Sequence, residues 1–144
     1  MAFTGNYTCN SFKQQLFEGG FDFSSTTTQV FRIALYTNNA TLDETTTAYS
    51  VSTAGQVVAT GYTAGGAIIT PTLSLDTSSG ITYLNFSNAS WTAAITARGA
   101  LIYKVGGGNP AICVLDFGSD KTSTTTFQVE FPPNTSTTAL IRLA

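Results

Sequence analysis

From Gln29 onward the apolar residues of this chain recur in twos, and Gly, Pro or Asn breaks interrupt them roughly every 8–15 residues. A period of two puts successive side chains on opposite faces of an extended backbone, whereas a helix needs a period of 3.6. Gln29-Val30-Phe31-Arg32-Ile33-Ala34-Leu35-Tyr36 alternates, with Phe31, Ile33 and Leu35 on one face, and predicts a half-buried strand bounded by Asn38-Asn39. Phe127-Gln128-Val129-Glu130-Phe131 alternates as cleanly and stops at Pro132-Pro133, which cannot extend a central strand. Shorter strand segments fall at residues 56–59, 67–70, 73–75, 81–86 and 139–143. Residues 99–105 and 111–117 flank Gly106-Gly107-Gly108-Asn109-Pro110, two apolar runs across a Gly-rich loop, and read as a hairpin. About eight short strands in 144 residues predict one all-β domain, a β-sandwich or jelly-roll-like barrel.

Residues 1–28 read differently and form an N-terminal arm ahead of a domain at 29–144. Ser11 to Gly20 is the single helix candidate, with Ser11 or Asn10 as N-cap, Phe12 and Leu16 on one face, and Gly19-Gly20 as the stop. Two turns are not stable alone, so this piece must lean on the sheet or on a neighbouring subunit. The arm holds six aromatics: Phe3, Tyr7, Phe12, Phe17, Phe21 and Phe23. Of these, Phe12, Phe17, Phe21 and Phe23 are the candidate packing or docking residues.

Composition then narrows the function. Charged residues are 10% of the chain, against roughly 25% in ordinary domains, and 26 Thr and 13 Ser take their place. A hydroxyl surface is cheaper to desolvate than a charged one, which suits a permanent protein–protein contact. Histidine is absent, which removes imidazole bases, His-ligated metals and His-containing triads. Lys13, Arg32, Arg98, Lys104, Lys121 and Arg142 are scattered singly in a chain of net charge −2, so nucleic acid is not an expected partner. Arg98 is a candidate buried or interface hydrogen-bonding group. The first ten residues carry neither a basic nor an apolar signal region, and no run is long enough to span a bilayer, so no membrane association is expected. Cys9 and Cys113 read as reduced thiols, Cys113 as a small core residue; their pairing is open.

The remaining motifs read as structural, although paired carboxylates of a glycosidase could still converge from distant strands. Asp116-Phe117-Gly118 spells a kinase triplet with none of its companions. Gly61-Tyr62-Thr63-Ala64-Gly65-Gly66 lacks the Lys and the following helix of a phosphate loop and reads as a turn. Asp43, Glu44, Asp116, Asp120 and Glu130 do not have calcium-loop spacing, and Asp120-Lys121 reads as a polar turn. Five Asn-x-Ser/Thr sequons, at Asn6, Asn39, Asn85, Asn88 and Asn134, are expected by chance in so hydroxyl-rich a chain. No enzyme activity, metal or cofactor is expected.

Several segments nevertheless look familiar as a set. They are Phe31-Arg32-Ile33-Ala34-Leu35-Tyr36-Thr37, Gly61-Tyr62-Thr63-Ala64-Gly65-Gly66, Ile95-Thr96-Ala97-Arg98-Gly99-Ala100-Leu101-Ile102-Tyr103 and Val114-Leu115-Asp116-Phe117-Gly118. With Ser11-Phe12-Lys13, Gly19-Gly20 and Asp120-Lys121-Thr122-Ser123, they resemble a family of small β-rich virion structural proteins of tailed bacteriophages, over roughly residues 9–144. The resemblance implies a particle component made in the bacterial host cytoplasm. Within it, the favoured role is a head-decoration (cement) protein on the outer capsid surface, bridging copies of the major capsid protein. Copies of itself are the other expected partner, with a trimer as the first arrangement. The rivals are a tail, neck or fibre-attachment component and, from another class, a carbohydrate- or receptor-binding module using Trp91, Tyr62 and Asn88.

Overall fold

A computed structural model describes residues 3–144; Met1 and Ala2, the first two residues of the expected arm, lie outside the described residues. The described residues are mostly β, with three sheets and one short helix. In chain order the elements are β1 (Tyr7–Thr8), α1 (Asn10–Phe17), β2 (Phe31–Tyr36), β3 (Ala67–Ile69), β4 (Pro71–Asp76) and β5 (Ile81–Phe86), then β6 (Ala89–Trp91), β7 (Thr96–Lys104), β8 (Ala111–Thr122), β9 (Phe127–Val129) and β10 (Ile141–Leu143). The sheets run β1-β8-β7-β2-β3, β10-β5-β4 and β6-β9, and every pairing within them is antiparallel.

The β7–β8 hairpin is the spine, and its loop turns through Gly106, Gly107, Gly108 and Asn109, all at positive φ. The strands outrun their apolar cores. β8 continues to Thr122, and Lys121 pairs with Ala97, so Asp120-Lys121 is ladder and not the expected turn. A register shift between Ala97 and Gly99 makes this possible, with Gly118 at φ +82° and its N–H held by Asp116 Oδ1 at 2.8 Å.

β2 departs from the expected half-burial, because it is a central strand covered on both faces. Phe31, Ile33 and Leu35 look toward the arm and the three-stranded sheet. Phe31 stacks on Phe23 at 4.9 Å between ring centroids, and Phe86 of β5 lies 6.0 Å from Phe31. Ala34 and Tyr36 look the other way, under residues 37–66, where only Gln56 bridges to Tyr36 and the expected strand over 56–59 does not form. The Gln56 side chain is engaged elsewhere, as described below.

The helix begins one step earlier than its expected caps. Cys9 donates its N–H to Ile112 O, so the ladder of β1 on β8 runs directly into α1. Cys9 is therefore the N-cap, without a side-chain cap bond, and Asn10 and Ser11 fall inside the helix. Gly19 at φ +78° ends it, as its sequence position suggests. The short β6–β9 sheet has no clear sequence signal over Ala89–Trp91; it packs Trp91 between Tyr62 and Phe127. No helix among the described residues is long and apolar enough to cross a membrane.

Candidate functional site: an apolar groove beside the arm

Antiparallel pairing puts directly opposed side chains on one face of a sheet. In the three-stranded sheet the registers Leu73–Leu84–Ile141 and Leu75–Thr82–Leu143 therefore form two cross-strand rows on a single face. The opposite face carries Ser74–Tyr83–Arg142 and Thr72–Asn85, and is polar. The apolar face continues the core at its Phe86 end, where Phe23, Phe31 and Phe131 surround the ring. Toward Leu75 and Leu143 its cover runs out, and Leu73, Leu75 and Leu143 are each about half exposed.

The uncovered part forms a groove of about 700 Å³ between the sheet and the arm. Its other wall comes from α1 and the residues after it: Phe12, Leu16, Phe17, Phe21 and Phe23. Helical spacing explains the arrangement. Phe12 and Leu16, four apart, share the inward face, and Phe17 one step on stands at its edge.

Sequence reasoning grouped Phe12, Phe17, Phe21 and Phe23, and the structure brings all four to this wall in different states. Phe12 is 2% exposed and meets Phe21 edge-on at 4.8 Å. Phe21 lies parallel to Phe23 at 5.8 Å, and Lys104 Nζ stands 5.2 Å above the Phe21 ring while bonding Gly20 O at 2.7 Å. These three rings belong to the chain's own core. Phe17 is 94% exposed and presents a free face.

Arg98 lies apart from the groove. Its Nε donates to Asp116 Oδ1 at 3.0 Å, and both side chains are mostly buried. Burial pushes the Asp116 carboxyl up, but the Gly118 N–H and Arg98 outweigh it and hold the group below its ordinary range. Three of the six cations are thus engaged internally, since Arg32 also donates to Gly66 O at 3.1 Å and Lys104 serves the arm.

The two thiols and the two aromatics of the sugar-binding alternative are buried. Burial pushes the Cys9 thiol up to about 11, with Asp43 adding to the effect, and raises Cys113 further. Both are free and buried, and burial favours the protonated thiol over the more nucleophilic thiolate. Trp91 and Tyr62 are buried, which leaves no stacking platform for a sugar there, and Asn88 Oδ1 accepts the Phe131 N–H.

Sequence reasoning missed Leu73, Leu75, Ile141 and Leu143 as members of one surface. Their i, i+2 spacing was visible, but only the pairing of β4, β5 and β10 makes them neighbours. It also missed the polar hub at Gln56. Its Oε1 accepts from Gly65 N at 2.8 Å and Tyr62 Oη at 3.2 Å, and its Nε2 donates to Tyr49 Oη at 3.1 Å. Tyr62 Oη in turn accepts the Leu35 N–H, Tyr103 Oη donates to Gly65 O, and Tyr49 stacks on Tyr103 at 4.4 Å. Comparison with protein-family models, curated proteins and solved structures gave no match.

Proposed function

We propose that the chain is a non-enzymatic structural protein of a tailed-phage particle, a head-decoration (cement) protein that binds the outer capsid surface and bridges coat subunits. The observation that carries this reading is the pairing of a charge-poor, hydroxyl-rich surface with an open apolar groove and a nearly bare Phe17. Such a surface gains by being covered, and a lattice that repeats one contact of roughly 1,600 Å² multiplies a modest stabilisation over the whole shell. The sequence resemblance to small phage virion proteins supports the same reading. So does the net charge of −2, which suits an outer face better than one against packaged DNA.

The test is the copy number of this chain per purified particle, by quantitative mass spectrometry against the major capsid protein. The expected result is a number comparable with the coat. A small closed-ring number would move the chain to the neck or tail, and none at all would overturn the virion reading.

A further inference from the structure

We propose that the groove is the contact between two copies of this chain, closed by a two-fold axis that seats Phe17 of each copy in the groove of the other. The self-complementarity is on the surface itself. Phe17 is a projecting apolar ring, and the depression beside it is lined by Leu73, Leu84, Ile141 and Leu143 from the three-stranded sheet. Projection and depression share one patch, so a two-fold satisfies both within a single interface, whereas a head-to-tail arrangement needs two neighbours on that one patch to fill both.

Size and charge agree with that occupant. Phe17 with the half-exposed Leu73, Leu75 and Leu143 presents roughly 500 Å² of apolar surface, taking on the order of 200 Å² per large side chain. A standard contact buries about 800 Å² on each partner, a little over half of it apolar, so the patch matches the centre of one dimer interface. Lys13 and Asp22 line the groove, and Glu18 follows Phe17 in sequence. The one ion pair among the described residues is Arg98–Asp116, so Lys13 is not paired with either acid inside the chain. A two-fold lets each copy's Lys13 face the other's acids. A dimer would cover the groove and Phe17 themselves and leave the hydroxyl-rich remainder of the surface for a coat contact; a dimer absent from any particle would leave this inference intact, and a monomer found on capsids would remove it alone.

The experiment is sedimentation equilibrium on the whole chain over a wide concentration range, with two single variants. Phe17→Ser removes the projecting ring. Val58→Ser removes an apolar side chain that is 97% exposed and does not line the groove. The expected result is a dimer whose dissociation constant rises at least about 30-fold in Phe17→Ser, the scale of an interface hot spot, and is unchanged in Val58→Ser. Phe17 is 94% exposed, so the variant should stay folded, and circular dichroism on the same samples is the check. A monomeric wild type, a trimeric mass, or equal weakening by both variants would each overturn the proposal.

Discussion

The five-stranded and the three-stranded sheets solve the same problem differently. Both have apolar faces, but the larger sheet is covered twice. The arm and Phe86 lie on one side, and residues 37–66 are fastened over the other by Gln56, Tyr62 and Tyr103. The smaller sheet has one apolar face, and the arm covers only part of it. The difference teaches where stability ends and interaction begins. Side chains in the doubly covered sheet have no freedom to serve a partner, while those at the open end of the smaller sheet do little for their own fold.

Mutations should reproduce this contrast, and the largest effect should come from the fastened side. Gly66 sits at φ +82°, and a Cβ there would collide with the Ile33 carbonyl oxygen of the central strand. Gly66→Ala should cost more than about 4 kcal/mol and leave little folded protein, read as the urea midpoint. On the arm, Phe12→Ala should cost about 3–5 kcal/mol in the same assay, because it opens a cavity among Phe21, Phe23 and the sheet. A loss below about 1 kcal/mol would mean that the arm is not integral to the core.

Smaller effects sharpen the comparison. Gln56→Ala leaves the buried Gly65 N–H without its acceptor and should cost about 1–3 kcal/mol, with Tyr49 loosening from Tyr103 in near-ultraviolet dichroism. Asp76 gives an acid signature at the far end of the small sheet. Its carboxylate accepts from the Ser136 hydroxyl and from Ser78 and Ser79, which holds its carboxyl well below the ordinary range. A depressed folded value contributes stability above the unfolded value of about 4 and loses it as pH falls further. The urea midpoint should therefore drop below about pH 4, and Asp76→Asn should flatten that drop. Smallest of all, Phe17→Ser should change the stability of the separated monomer by no more than about 0.5 kcal/mol, measured below the dimer's dissociation range.

How much of this was legible in the sequence follows from where the information lies. β2, β5 and the β7–β8 hairpin could be read because alternation and Gly punctuation are local signals. The continuation of β8 to Thr122 could not, because it depends on a register shift against β7. The double burial of β2 was hidden for a similar reason: Arg32 reads as a solvent residue until Gly66 O is brought to it from thirty-four positions away. For the groove, the four phenylalanines were visible as a cluster, but nothing local separates Phe17 from Phe12. Only the helix phase against the sheet does that. Leu73, Leu75, Ile141 and Leu143 become one surface through cross-strand pairing alone.

β4 is the outer strand of the three-stranded sheet. Counting alternately from the Ser87 N–H bond to Thr70 O, the backbone groups of residues 71, 73 and 75 point away from β5. Residue 71 is Pro and has no N–H, and beyond Asp76 the chain turns back under its Ser78 and Ser79 bonds. Only Leu73 and Leu75 therefore offer outward donors, too short a template for another strand to extend the sheet. The molecule can expose leucines at this edge without inviting fibrous growth, because any partner must engage it through side chains rather than by adding a strand.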